Sequence, residues 1–230
     1  MLNCIEKRSK ARLKMKKTRK QGILISIFLV VMFILWTYLV CCIDIQEIGP
    51  NGSSVGFATL NGYFHDLTGT NMTLYTITDW LGLVPIAVAL GFAFLGLVQW
   101  IRRKSFFEVD RNILALGGFY IAVIAVYVFF EYVVINYRPV LIEGYLEASY
   151  PSSTTMLVMC VMPTAMMQLR RRIKNRILRG AIRSLFAIFT VFMVVGRVIS
   201  GVHWISDVIG GVIISAGLVS AYYFLGECGK

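Results

Sequence analysis

Six apolar stretches constrain this sequence more than any other feature, because each is about as long as the roughly 20-residue helix that crosses a bilayer. The stretches cover residues 22–43, 80–101, 112–135, 152–169, 181–200 and 205–226. The first has no charged residue, whereas Pro163 and several hydroxyl side chains make the fourth the least apolar. The sequence therefore predicts an all-α integral membrane bundle of six transmembrane helices.

Composition excludes a soluble domain or a disordered chain. Of 230 residues, 57% are hydrophobic and 15% are charged, and the mean hydropathy is +0.72. Soluble domains are about 45–50% apolar and about 25% charged. The length suits one domain.

The positions of the basic residues predict the orientation. Of 23 lysines and arginines, 21 lie before the first stretch, between the second and third, between the end of the fourth and Arg183 near the start of the fifth, or at Lys230. Cytoplasmic loops are enriched in such residues, so both termini are predicted to be cytoplasmic. The net charge of +11 is spread over these inner segments, which fits attraction to anionic lipid and argues against a nucleic-acid partner. Only Arg138 and Arg197 are left for the outer side.

Four regions follow from this topology. Residues 1–21 form a basic cytoplasmic segment, and residues 22–43 form the first transmembrane helix. We interpret that helix as a retained anchor, since no small-residue cleavage site follows it. Residues 44–79 form an extracytoplasmic loop with room for a short interfacial helix or hairpin, and residues 80–230 form a membrane core of five helices. The five cysteines show no metal or disulfide spacing, and neither a metal nor a cofactor is predicted.

Polar residues on the predicted outer side include Arg197, His203 and Asp207. On a helix, residues four apart share a face, so Asp207 could accept a hydrogen bond from one nitrogen of His203 and fix its tautomer. The guanidinium of Arg197 can clamp phosphate oxygens. The alternative is an interfacial pair formed by His203 and Trp204. We favour the functional interpretation because an arginine, a histidine and an aspartate coincide at one membrane level.

A second outer cluster combines Arg138 with the start of the fourth stretch. Pro151 suits the first turn of a helix, and the N-terminus of a helix attracts anions. Ser152, Ser153 and Thr154 add hydroxyl donors. Serine and threonine cap helices routinely, so these residues alone do not indicate a phosphate site. Together with the arginines and the histidine, they do.

These residues resemble the type 2 phosphatidic acid phosphatases, the membrane lipid phosphate phosphatases. The three motifs of that family are Lys-x6-Arg-Pro, Pro-Ser-Gly-His and Ser-Arg-x5-His-x3-Asp. The matching segments are Arg138-Pro139, Pro151-Ser152-Ser153 and Gly196-Arg197-x5-His203-x3-Asp207. The resemblance covers roughly residues 80–226, and the third motif is its most specific part.

The resemblance implies a multi-pass lipid phosphatase of the cell membrane with its active site on the extracytoplasmic side. His203 would be the nucleophile that forms a phosphohistidine, and Asp207 would orient it. Arg138 and Arg197 would bind the phosphoryl oxygens, which agrees with the dependence of phosphoryl transfer on positioning and charge stabilisation.

Two positions depart from the family pattern. Glu131 occupies the lysine position, and Thr154 occupies the position of the second-motif histidine, the general acid. General acid catalysis contributes about 10²–10⁴-fold, and a phosphate leaving group, with a second pKa of about 6, needs it least. We therefore predict a preference for a lipid pyrophosphate over a monophosphate. Glu131 is a candidate replacement acid or a partner of an arginine. His65 in the outer loop could fold over the site, but it is interpreted as solvated, which is usual for a lone histidine in a loop.

Three alternatives are weighed against a lipid phosphatase. A head-group phosphotransferase would pass the phosphoryl group to an alcohol, and Glu131 would suit a zwitterionic head group. A non-catalytic lipid-binding relative would have little use for an oriented histidine. A channel or transporter is disfavoured because the centres of the stretches hold no ionisable residue. The sequence assigns neither the lipid nor an oligomeric state.

Overall fold

The computed structural model describes the backbone of residues 2–227 and the side chains of residues 16–226. Its helices in chain order are α1 Leu2–Cys42, α2 Ala58–Thr68, α3 Met72–Leu81, α4 Leu83–Arg103, α5 Arg111–Tyr132, α6 Ser153–Arg172, α7 Arg176–Ile199 and α8 Ile205–Tyr222. Within the described chain there is no β-strand, and three isolated bridges lie in the loops. The all-α prediction is confirmed.

Five described segments are long and apolar enough to cross a membrane. They are Lys16–Cys42, Met72–Arg103, Arg111–Tyr132, Arg176–Ile199 and Ile205–Gly226. The predicted fourth span corresponds to α6, which is not among them. The 20 residues of α6 would extend about 30 Å, the thickness of the bilayer core. The sixth crossing and the cytoplasmic termini stay predictions.

The low hydropathy of α6 follows from its central position. This helix packs against α4, α5, α7 and α8, so its polar groups face protein. Gln168 donates from Nε2 to the Tyr222 hydroxyl at 2.6 Å, and the Thr164 hydroxyl donates to the Cys160 carbonyl at 2.7 Å. A helix enclosed in this way needs no lipid-facing apolar surface.

Glycines of α8 allow neighbouring segments to pack closely against this helix. A β-carbon added at Gly217 would lie 3.3 Å from the Val30 side chain of α1, and one at Gly210 would lie 2.7 Å from the Tyr150 ring. At Gly211, the added atom would be 3.1 Å from the Ser152 carbonyl oxygen. The contacts of Gly210 and Gly211 bring the segment before α6 against the start of α8.

Two helices, α2 and α3, occupy much of segment 44–79, which we expected to be mainly a loop. Only Gly82 separates α3 from α4, so Met72–Arg103 forms one apolar run of 32 residues. Such a run would extend about 48 Å, well beyond a bilayer core of about 30 Å. The N-terminal end of this run is tied to the end of α7, because the Asn71 N–H donates to the Ser200 carbonyl at 2.9 Å. The helix α1 covers Leu2–Cys42, so the described part of the basic segment continues into the first span as one helix.

Candidate active site

His203 lies in the turn between α7 and α8, not on α8, so the predicted helical pairing with Asp207 is wrong. Its Nδ1 lies 3.0 Å from the Ser149 Oγ, and that hydroxyl donates to the Asp207 Oδ2 at 2.6 Å. A serine hydroxyl carries a single hydrogen, which is directed here to the carboxylate. The Ser149 oxygen therefore accepts from the Nδ1–H of His203, and the lone pair of the imidazole is on Nε2.

A set of buried polar side chains holds Asp207. Its Oδ1 accepts from Asn136 Nδ2 at 2.9 Å and from Ser206 Oγ at 3.2 Å. Asn61 of α2 donates in turn to the Ser206 Oγ at 2.9 Å. Asp207, Ser206 and Asn61 are fully buried, so the carboxylate has a satisfied and fixed environment.

The free nitrogen of His203 is Nε2. The side chain is 5% exposed, and this nitrogen has no hydrogen-bond partner among the described residues. Burial lowers the pKa of His203 well below its ordinary value, and the positive charges of Arg138 and Arg197 lower it further. The imidazole is therefore neutral at pH 7, the form that has a free lone pair on one ring nitrogen.

Arg197 is almost completely buried at the end of α7. Its Nη2 donates to Asp79 Oδ1 at 2.9 Å and to Thr154 Oγ1 at 2.6 Å, while Nε and Nη1 have no partner among the residues that the structure describes. Arg138 Nε lies 3.0 Å from Glu147 Oε2, and its buried Nη1 likewise has no described partner. Each arginine is thus paired with one carboxylate and keeps further donors.

The two arginines contact the ring of Tyr75. The guanidinium carbon of Arg197 lies 5.2 Å from the ring centroid, and that of Arg138 lies 5.8 Å from it. Both distances are within the range of a cation–π contact. The long α3–α4 run therefore supplies an aromatic ring that positions two like charges near His203.

The N-terminus of α6 contributes in a different way from the one predicted. The Ser152 N–H donates to the Asp207 carbonyl at 3.0 Å, which links α6 to α8. The hydroxyls of Ser152 and Thr155 are buried without a partner in the described part of the chain. Ser153 is only partly buried, and Thr154 is bound to Arg197. The predicted hydroxyl residues thus lie at the site, but the first backbone donor already has a protein acceptor.

Glu131 and His65 lie at the periphery. Glu131 is exposed at the end of α5 and lines a small crevice that also contains Ser149 and Ser153. It makes no hydrogen bond or ion pair with either arginine or with His203 in the described structure. His65 is partly buried, with its ring 5.6 Å from the Trp204 ring, so the interpretation of His65 as a solvated loop residue is wrong.

Several functional residues had no signal in the sequence. Ser149 contacts Asp207, which is 58 residues away in the chain. Asn61 contacts Ser206, which is 145 residues away. Asp79 is 118 residues from Arg197. Isolated serines, asparagines and aspartates are common in loops, and only their tertiary positions distinguish these three. Among the described residues, no group of three or more histidine, cysteine, aspartate or glutamate side chains could hold a metal ion.

The fold and the site define a class of proteins, multi-pass membrane proteins with a buried histidine beside two arginines. The model of the PAP2 superfamily matches residues 86–227, and the chain belongs to that superfamily. The resemblance inferred from the motifs is thereby confirmed, and membership indicates a membrane phosphatase.

A solved structure is also similar, described as the crystal structure of the first transmembrane PAP2 type phosphatidylglycerolphosphate phosphatase from Bacillus subtilis. The sequence identity is 18%, the match covers 87% of this chain and 94% of the other, and the TM-score is 0.49. No curated protein matches the sequence.

Proposed function

We propose that this chain is a metal-independent membrane phosphatase that hydrolyses a lipid (pyro)phosphate through a phosphohistidine on His203. The observation that carries the proposal is the state of His203, whose Nδ1 is held by Ser149 and whose Nε2 is buried and unpartnered. Arg138 and Arg197 supply positive charge beside it. This combination suits attack on an anionic phosphoryl group.

In the first step, Nε2 of His203 forms a bond to phosphorus as the bond from phosphorus to the leaving oxygen breaks. The imidazole becomes positively charged, and Asp207 stabilises this charge through the Ser149 hydroxyl. The remaining donors of Arg138 and Arg197 bind the non-bridging oxygens, where charge is concentrated in the transition state. In the second step, water attacks phosphorus and gives a proton to bulk solvent, the electron pair of the nitrogen–phosphorus bond returns to Nε2 as that bond breaks, and neutral His203 and inorganic phosphate are formed.

The leaving oxygen decides the preferred substrate. Thr154 occupies the position of the family's acid, and its hydroxyl accepts a hydrogen bond from Arg197, so it is a very weak proton donor. A phosphate leaving group departs without prior protonation more readily than an alcohol does. The proposed substrate is therefore a lipid pyrophosphate, and Glu131 is the candidate acid for a monophosphate.

The outer-face location is part of the proposal and is supported by charge. The site lies at the end of α7 that carries Arg197, whereas the other end, toward Arg176, carries the basic residues that are typical of a cytoplasmic loop. A cysteine introduced near the site at Tyr145, which is exposed, should react with an impermeant reagent added outside intact cells. Reaction only after the inner face is opened would reverse the orientation.

A head-group phosphotransferase is the second candidate, and the two carboxylates favour it. The side chains of Asp79 and Glu147 are 55% and 42% exposed, and both lie beside the phosphate-binding arginines. They are placed to attract a cationic head group or its acceptor. A transferase would retain the phosphoryl group in a lipid product, whereas a phosphatase would release it.

The test measures phosphate release by purified protein in detergent from a labelled polyprenyl pyrophosphate and from labelled phosphatidic acid. We expect release from the pyrophosphate, no release by His203→Ala, and an acid-labile label on the native protein. Label found in a new lipid would establish the transferase. Bound lipid with neither release nor transfer would leave the third candidate, a non-catalytic lipid-binding relative. Equal turnover by His203→Ala would overturn the mechanism.

A further inference from the structure

A second cavity lies between α6 and α7, at the ends of these helices opposite the site. Its volume is about 860 Å³. Thr154 near the start of α6 contacts the site, whereas Arg170 near the end of the same helix lines the cavity. A helix of 20 residues is about 30 Å long, so the two features lie on opposite sides of the bundle.

The lining of this cavity is divided between positive charge and apolar surface. Arg170, Arg176, Arg179 and Arg183 lie toward the connected ends of α6 and α7. Methionine, proline, phenylalanine, alanine and valine side chains form most of the rest, together with Gly180 and Thr190, and no acidic residue lines the cavity. The four guanidiniums make no side-chain hydrogen bond or ion pair with any residue in the described part of the chain. No described side chain therefore neutralises their charge. Arg103, by contrast, pairs with Asp110 at 3.0 Å.

We propose that this cavity binds an anionic glycerophospholipid from the leaflet on its own side of the membrane. The phosphate would contact the arginines, and an acyl chain would lie along Met166 and Phe186. Basic pockets between membrane helices suit anionic head groups, and arginine suits phosphate oxygens in particular. This inference is independent of the proposed phosphatase activity, which lies at the other end of the helices.

The apolar part of the cavity favours a lipid over a soluble phosphate. It continues along α7 from Arg183 to Val191, eight residues or about 12 Å of helix. A free phosphate would occupy only the basic end and leave this surface uncovered. An acyl chain would cover it and gain the free energy of apolar contact.

The experiment measures binding of phosphatidylglycerol to the purified full-length protein in neutral detergent, by native mass spectrometry. Phosphatidylcholine is the neutral lipid control, and inorganic phosphate is the competitor. We expect selective retention of phosphatidylglycerol, and a loss of affinity of at least tenfold in the double variant Arg176→Gln/Arg179→Gln. The matched control is Arg102→Gln/Lys104→Gln, which removes the same charge from exposed residues outside the cavity.

A second variant tests the acyl-chain part with all charges kept. A β-carbon added at Gly180 meets no atom within 4 Å, so Gly180→Phe fills the cavity from a position with open space. We expect it to weaken phosphatidylglycerol binding as the arginine variant does. Equal loss in the Arg102/Lys104 control, full displacement by inorganic phosphate, or unchanged binding in Gly180→Phe would each overturn the proposal. Phosphatase activity of all variants, measured in neutral detergent, should stay near that of the native protein.

Discussion

The Oγ of Ser149 lies 3.0 Å from the Nδ1 of His203, so a serine hydroxyl is the direct hydrogen-bond partner of the proposed nucleophile. The same hydroxyl donates to Asp207, which therefore acts on the imidazole through Ser149. One short side chain sets both the tautomer and the orientation of the ring. It also transmits the stabilising charge of the carboxylate when the imidazole becomes cationic.

Ser149→Ala removes this connection and should lower kcat about 10-fold to 100-fold, the loss typical when a hydrogen bond that orients a functional histidine is removed. KM should change little, because Ser149 does not bind phosphate in the proposed mechanism. Ser149→Thr keeps a hydroxyl and should recover part of kcat. The control is Ser184→Ala, at an exposed serine of α7. An unchanged kcat in Ser149→Ala would show that the hydroxyl only fills space.

The acidic limb of kcat/KM should lie below pH 6.5, the ordinary pKa of histidine. Burial and the nearby arginines lower the pKa of His203, so the nucleophile stays neutral as the pH falls below 6.5, and activity is lost only when the pH reaches the lowered pKa. Arg138→Gln removes one positive charge and should move this limb upward. A pH–rate profile for the pyrophosphate substrate measures both effects. A limb above pH 6.5 in the native protein would contradict the assignment of His203.

Asp79→Asn should make phosphate bind more tightly. The carboxylate of Asp79, bound to Nη2, competes with substrate for the positive charge of Arg197, and its removal leaves that charge to phosphate. The inhibition constant for inorganic phosphate should fall about fivefold, because a partly exposed ion pair is worth up to about 1 kcal/mol. Asp66→Asn, at an exposed carboxylate of α2, is the control. Weaker phosphate binding would mean that Asp79 positions Arg197 and does not compete with substrate.

Thr154→His should restore the acid that the family pattern places there. Turnover of phosphatidic acid should rise by at least about tenfold, within the range of general acid catalysis, while turnover of the pyrophosphate should change much less. The ratio of the two rates, measured side by side, isolates the leaving-group effect from any change in folding. A constant ratio would remove the proposed reason for the pyrophosphate preference.

Glu131→Gln tests the other candidate acid. If this carboxyl protonates an alcohol leaving group, the variant should slow phosphatidic acid turnover about 10²-fold, at the lower end of general acid catalysis, and leave pyrophosphate turnover nearly unchanged. Glu143→Gln, at an exposed glutamate of the same loop region, controls for the loss of charge. Equal effects on both substrates would assign Glu131 a structural or binding role.

The sequence by itself determined the helical membrane class and the local part of the site. Long apolar runs give helices whatever surrounds them, because the backbone in lipid must satisfy its own hydrogen bonds. Arg197, His203 and Asp207 are also close in the chain, so their proximity needed only a turn between two helices, although His203 is connected to Asp207 through Ser149. The helices and this turn depend on residues that are neighbours in the chain, so they can be predicted from the sequence pattern.

Only the tertiary structure decided which residues complete the site. The burial of α6 explains its low hydropathy, since enclosure by four helices replaces contact with lipid. Ser149, Asn61 and Asp79 reach their partners across 58 to 145 residues of chain. A short polar side chain has the same chemistry in a solvated loop and beside a buried imidazole. Its role depends on the distance to the atoms that tertiary packing brings next to it. That distance cannot be predicted from the spacing of residues along the chain.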